Sequence, residues 1–102
     1  MKESEIEKIL VDGIRKLGGK AYKFVSPGND GVPDRLVILK GEPAIFVELK
    51  TDTGRLSARQ KIQIQMLHTL GQIVIVIYGE AGVRKFLKDI ETREELYEVY
   101  TS

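Results

Sequence analysis

The segment from Gly31 to Lys50 constrains the fold more than any other part of the chain. It contains Gly-Val-Pro-Asp at residues 31–34, and thirteen residues separate Asp34 from Glu48-Leu49-Lys50. The intervening residues form two apolar runs around a turn at 40–43 that contains glycine and proline, a pattern that predicts a β-hairpin. Side chains two residues apart on a strand share a face, and the antiparallel return would bring Asp34 beside Glu48 and Lys50.

Two carboxylates next to a lysine are typical of a divalent-metal site. Carboxylate oxygens are the ligands that Mg²⁺ and Mn²⁺ prefer, so we predict Asp34 and Glu48 as metal ligands and the backbone carbonyl of Leu49 as a third. Lys50 would orient or deprotonate an attacking water and stabilise negative charge on the substrate. The alternative is an ion pair between Glu48 and Lys50 on an exposed face of the hairpin, which would contribute little.

Composition limits the chemistry that the chain can support. The 102 residues include no cysteine and one histidine, which excludes disulfides, thiolate zinc sites and sites built on several histidines. At this length we expect a single domain over residues 1–102. No apolar run approaches the roughly 20 residues of a membrane span, and residues 1–12 lack a signal-peptide pattern, so we expect a cytoplasmic protein.

Apolar spacing predicts an α/β fold with a central mixed sheet flanked by helices. Ser57 and Gln60 form a capping box at the start of the second helix. Residues 72–78 are nearly all apolar, which predicts a strand buried on both faces, whereas 91–102 are compatible with either a helix or a sheet edge. The predicted order is αβββαβα: helix 3–17, strand 20–25, strand 35–39, strand 44–50, helix 57–70, strand 72–78 and helix 82–90.

Several motifs along roughly residues 3–78 resemble one known family. They are the glutamate-rich helix ending in Leu17-Gly18-Gly19, the segments 21–28, 31–35 and 46–51, and Gly54-x-Leu56-Ser57-x-x-Gln60. Together they resemble the VRR-NUC branch of the PD-(D/E)xK nuclease superfamily, in particular the short stand-alone versions carried by bacteriophages and prophages. The resemblance implies a restriction-endonuclease-like αβββαβ core.

The same resemblance implies a structure-selective endodeoxyribonuclease with Mg²⁺ or Mn²⁺ as cofactor. Branched DNA is the expected substrate, and a Holliday-junction-resolvase-like activity is the leading expectation. Symmetric cutting of a two-fold junction calls for two active sites, so we expect a homodimer. A phage-encoded protein would act in the cytoplasm of its bacterial host. The alternatives are a flap or end-processing nuclease module and a non-catalytic DNA-binding domain.

The first helix offers a further acid. At about 100° per residue, Glu3 shares the core-facing stripe with Ile6 and Leu10, where an unpaired carboxylate would be costly. The resemblance implies that a glutamate on this helix reaches the metal, often through water. We therefore predict that Glu3 lies beside the two proposed ligands, with Glu7 as the second candidate. The alternative is an acid favoured by the helix dipole.

Gln60 and four cations complete the predicted site. The resemblance implies that Gln60 faces the site and helps to hold the lysine or the water, although capping alone would also explain this residue. The net charge is only +1, but residues 50–61 carry four cations against one acid, which suits contact with a phosphate backbone. The candidate DNA contacts are Lys23, Arg35, Arg55 and Arg59.

Overall fold

The computed structural model describes the backbone of residues 1–101 and the side chains of residues 1–93. Its elements, in chain order, are α1 (Glu3–Lys16), β1 (Lys20–Lys23), β2 (Arg35–Ile38), β3 (Ile45–Lys50), α2 (Ala58–Thr69), β4 (Ile73–Tyr78) and α3 (Gly79–Thr101). This order confirms the predicted fold class. Helix α3 begins at Gly79 and is continuous to Thr101, so the segment that allowed either structure is helical, and Ser102 lies outside the described residues.

The four strands form one mixed sheet in the order β1-β2-β3-β4. The β1–β2 and β2–β3 pairs are antiparallel, and β3 runs parallel to β4. In the predicted hairpin, Arg35 pairs with Val47. Extending that register by one residue places Asp34 opposite Glu48, so the antiparallel return brings the two acids together as the spacing predicted.

The two faces of the sheet have different coverings. Alternate residues of β2 and β3, including Val37 and Val47, join Ile6 and Leu10 of α1 in the buried core. The other face carries Asp34, Glu48 and Lys50 by the same alternation. Helix α2 covers this second face at the site, since its residue Gln60 bonds to Glu48. The apolar core therefore lies on one side of the sheet and the candidate site on the other.

Strand β4 differs from the prediction that both its faces are buried. It is the last strand of the described sheet, and Ile73 and Tyr78 at its two ends are 40% and 44% exposed. Helix α2, the neighbour that precedes it in the chain, has no fully buried side chain. An apolar run does not distinguish an inner strand from an edge strand, because that depends on which strands pair.

The described helices include none that is both long and apolar enough to cross a membrane.

Candidate active site

Asp34 is held at the end of the hairpin ladder. Strand β2 begins at Arg35, so Leu49 lies beyond the last ladder pair between β2 and β3. The Leu49 backbone N–H donates instead to Asp34 Oδ2 over 3.1 Å. The carboxylate thus replaces a ladder carbonyl, which fixes Asp34 against β3 through one of its oxygens.

Glu48 is buried and only partly satisfied. Its side chain is 1% exposed, and its Oε2 accepts a 2.9 Å hydrogen bond from Gln60 Nε2. Lys50 Nζ lies 3.8 Å from the same oxygen. The other oxygen, Oε1, has no hydrogen-bond partner among the described residues. A buried carboxylate oxygen without a partner is costly, so this atom marks a place where a cation or a donor would bind favourably.

The surroundings of Glu48 favour its protonated form. Burial is the main cause, and the nearby charge of Asp34 adds to it, so that the pKa of Glu48 is raised from 4.5 to about 7. Lys50 opposes this increase and Glu3 contributes to it. A cation bound beside Glu48 would therefore favour its charged form.

Gln60 performs two tasks with one side chain. Its Oε1 accepts the backbone N–H of Ser57 over 2.8 Å, while Ser57 Oγ accepts the backbone N–H of Gln60 over 3.1 Å. These two bonds form the predicted capping box of α2. The side-chain amide nitrogen donates to Glu48 Oε2. The cap and the contact to the site are therefore compatible, because the amide has both an acceptor and a donor end.

Lys50 is enclosed rather than exposed. Its side chain is 15% exposed, which excludes the alternative of an ion pair on the exposed surface of the hairpin. Gly54 borders the alkyl stem, and a methyl group there would lie 3.3 Å from Lys50 Cδ. The enclosed stem aims the ammonium group at Glu48 and limits its freedom.

The donor set suits a hard divalent cation. Asp34 and Glu48 supply two carboxylates on one face of the hairpin, and one oxygen of Glu48 is buried without a partner among the described side chains. Residues 1–93 contain no cluster of three or more acidic, histidine or cysteine side chains that could hold a metal alone. Mg²⁺ commonly binds through one or two carboxylates and completes its shell with water and substrate phosphate oxygens. The residues present are therefore compatible with Mg²⁺ or Mn²⁺.

Comparison with known proteins identifies the family of the chain. Residues 3–81 match the VRR-NUC domain family. The chain belongs to the VRR-NUC family. It is 49% identical over 77 residues to "Putative nuclease p44" of Acyrthosiphon pisum secondary endosymbiont phage 1, which covers 76% of this chain and 83% of the phage protein. The chain therefore carries a nuclease domain.

Solved structures support the same assignment. One described as a VRR-NUC domain superposes with a TM-score of 0.78 at 28% identity, over 84% of this chain and 94% of that one. The Holliday junction resolvase Hjc of Archaeoglobus fulgidus superposes with a TM-score of 0.51 at 23% identity, over 70% of this chain and 64% of that one. The second likeness shows a shared fold only.

In this VRR-NUC chain Glu3 is not on the buried face. It is the first residue of α1, and its side chain is exposed, so the predicted burial is wrong. The predicted helical phase is correct for Ile6 and Leu10, which are both buried. Glu3 lies about one turn earlier, where the core-facing side of α1 extends beyond the end of the core. The charge of Glu3 nevertheless contributes to the raised pKa of Glu48. A contact to a metal through water stays a prediction.

Glu7 and Arg35 pair with each other away from the site. Arg35 Nε and Nη2 both donate to Glu7 Oε1, at 2.8 and 2.5 Å, and Nη1 donates to the carbonyl of Ala21 at 3.2 Å. Strand alternation turns Arg35 towards α1, opposite to the face that carries Asp34. Glu7 is therefore not the second site acid in this structure, and Arg35 links α1 to the sheet rather than presenting its guanidinium to DNA.

The other candidate DNA contacts lie in different settings. Lys23 is exposed and pairs with Arg35 in the sheet register, so it projects on the α1 side. Arg59 forms an exposed ion pair with Asp30, which connects the loop before Asp34 to the start of α2. Arg55 is exposed just before α2. Among the four predicted cations, Lys23 and Arg35 therefore lie on the α1 side of the sheet, and Arg59 lies beside the loop that precedes Asp34.

Gly31 is a site residue that the sequence analysis did not identify. Its φ of +91° is in the left-handed region, and a Cβ there would lie 2.6 Å from the backbone of Arg59. Only glycine allows the loop before Asp34 to meet the start of α2 so closely. The signal was available, since Gly31 precedes Val-Pro-Asp directly.

Proposed function

We propose that this VRR-NUC chain is an endodeoxyribonuclease that requires Mg²⁺ or Mn²⁺ and hydrolyses DNA phosphodiesters. One observation carries the proposal. The buried carboxylate of Glu48 has one oxygen, Oε1, without a partner among residues 1–93, and its other oxygen lies 3.8 Å from the ammonium group of Lys50, near the charge of Asp34. A structural ion pair would not require a second acid at the same place.

The roles of the residues follow from their positions. Asp34 and Glu48 would hold the cation, with the Leu49 carbonyl as the predicted third protein ligand. When bound, the ion activates a water and neutralises charge on the phosphate. Lys50 orients the attacking water or, as the neutral amine, takes its proton, and as the ammonium ion it stabilises negative charge on the phosphate oxygens. Gln60 fixes the carboxylate of Glu48 through its 2.9 Å hydrogen bond.

Branched DNA is the proposed substrate, and four-way junctions are the leading candidate. The proposed active form is a homodimer. The fold shared with a protein described as a Holliday junction resolvase supports this choice. A four-way junction has two strands to be cut in symmetric positions, and two copies related by a two-fold axis would present one site to each. One chain with one site would suit a flap or a DNA end instead.

The test compares labelled four-way, flap, nicked and linear DNA at one salt concentration, because phosphate contacts make DNA affinity depend on salt. Each substrate is incubated with Mg²⁺, with Mn²⁺ and with EDTA, using Lys50→Ala purified in parallel to detect a contaminating nuclease. We expect cleavage of the junction in the presence of metal only. Preferred cutting of flaps would favour the end-processing alternative. Binding without cleavage under every condition would favour a non-catalytic DNA-binding domain.

A further inference from the structure

Helix α2 carries an apolar stripe on its outer surface. Ile62, Met66 and Leu70 follow one another at intervals of four residues and are 59%, 54% and 67% exposed. Together with Lys61, Gln65 and Thr69 they line a shallow groove. Intervals of four residues place the three apolar side chains on one side of the helix. We call this surface the α2 face.

The α2 face is not the side by which the helix packs on its own chain. Ile64 and Leu67 are the half-buried apolar residues of α2, and they lie on a different side from Met66. Ile62, Met66 and Leu70 expose on the order of 300 Å² per copy, which is in the range of the largest patches on monomeric proteins, and such patches commonly mark interaction sites.

We propose that the α2 face is the interface between two copies of this chain. The inference rests on the proposed function, which needs two active sites, and it specifies the surface that would bring them together. The face has no acid, and its single charge, Lys61, lies at one end of the groove. Such a surface does not suit a DNA backbone, which proteins bind through arrays of lysine and arginine side chains. It can instead pack against the same surface of a second copy.

Self-pairing avoids repulsion when the two helices are antiparallel. If Met66 lies at the two-fold axis, Lys61 of each copy is displaced by five residues in opposite directions. At 1.5 Å per residue the two ammonium groups are then about 15 Å apart along the helices. A pair would bury roughly 600 Å² from the apolar side chains, and the polar side chains of the groove would bring the total towards the ~1,000 Å² expected of a specific interface.

The same arrangement relates the interface to the catalytic site. Gln60, which bonds to Glu48, lies six residues before Met66 on the same helix. Antiparallel packing about Met66 would separate the two Gln60 residues by about 18 Å along the helix axes. Both sites would then lie beside the interface, so loss of pairing should affect junction cleavage without removing any residue of the site.

The oligomeric state in the absence of DNA and metal tests the interface independently of nuclease activity. Light scattering should give about 23 kDa for the parent protein, twice the 11.5 kDa of one chain. Met66→Glu should reduce the mass to that of one chain, because a carboxylate at the axis would meet its own copy. Tyr22→Glu is the matched control, since Tyr22 is 49% exposed on β1 at the other edge of the sheet, and it should leave the dimer intact.

A second pair of variants tests the same interface without placing a charge in it. The chain has no cysteine, so Met66→Cys and Tyr22→Cys each introduce a single thiol. Mild oxidation should convert most of Met66→Cys, but not Tyr22→Cys, into a disulfide-linked dimer. A parent protein that is monomeric at micromolar concentration would overturn the inference, as would a Met66→Glu dimer or equal cross-linking of both cysteine variants. A dimer that passes these tests but cuts no DNA would leave the interface in place and refute the proposed function.

Discussion

Gln60 donates a 2.9 Å hydrogen bond from its side-chain amide to the buried carboxylate of Glu48. The opposite end of the same amide closes the capping box with Ser57. The start of α2 and the geometry of the candidate metal ligand therefore depend on one side chain. Substitutions can separate the two tasks, because one uses the amide oxygen and the other uses the amide nitrogen.

Gln60→Glu should keep the cap and disturb the site. The glutamate still offers an oxygen to the Ser57 N–H, but it cannot donate to Glu48 and adds a like charge beside it. We expect cleavage to fall by at least about 10-fold with little change in melting temperature. Ser57→Ala is the control: it should lower stability by about 1 kcal/mol and leave the cleavage rate of the folded enzyme near that of the parent. Equal loss of activity in both variants would contradict a specific role for the Glu48 contact.

Variants of Asp34 and Lys50 should separate metal binding from chemistry. Asp34→Ala should abolish both cleavage and Mn²⁺ binding in calorimetry, since it removes a ligand. Asp34→Asn keeps an oxygen for the Leu49 N–H and should do the same with less loss of stability. Lys50→Ala should abolish cleavage while Mn²⁺ and DNA still bind. Undiminished Mn²⁺ affinity in either Asp34 variant would show that the ligand assignment is wrong.

The raised pKa of Glu48 predicts how stability depends on pH in the presence of EDTA. The folded protein retains the proton up to a pKa of about 7, whereas the unfolded chain releases it near 4.5. Between those values the folded state binds more protons, so Glu48 stabilises the fold fully below pH 4.5 and loses this contribution as the pH rises towards 7. The melting temperature of the parent should therefore fall relative to that of Glu48→Gln between pH 5 and pH 8. A difference that stays constant with pH would contradict the shift.

Glu3→Gln tests whether the exposed first residue of α1 takes part in the site. If Glu3 reaches the metal through water, as the resemblance implies, cleavage should fall by at least about 10-fold while the fold is unchanged. The matched control is Glu5→Gln, which neutralises another exposed acid in the same helical turn. An effect of equal size in both variants would indicate a general effect of charge, and full activity of Glu3→Gln would remove Glu3 from the site.

Gly31→Ala should disturb the contact between the loop before Asp34 and the start of α2. Gly28→Ala is a close control, because both glycines have positive φ, at +82° and +91°, but only at Gly31 would the new methyl group meet backbone atoms. Both variants carry the strain of an L-residue at positive φ. Gly31→Ala should lose a further 1–3 kcal/mol, roughly, in chemical denaturation and should cut DNA more slowly. Equal stability of the two variants would argue against the close approach.

The sequence alone determined the hairpin and the convergence of its three charged residues. Side chains alternate along any strand, so the spacing placed Glu48 and Lys50 on one face, and the short turn placed Asp34 opposite Glu48. Helical periodicity likewise selected Ile6 and Leu10 for the core. These features are local, because they follow from the repeat of one element or from a turn between neighbouring strands.

Tertiary structure decided what each face of the sheet contacts and how deeply. Arg35 carries the same charge as the other predicted cations. Its side chain lies on the face of β2 that packs against α1, where it forms an ion pair with Glu7. Strand β4 is as apolar as an inner strand, yet it ends the described sheet, and α2 exposes Met66 beside it. Exposure and pairing partners depend on residues distant in the chain, and no repeat within a single element encodes them.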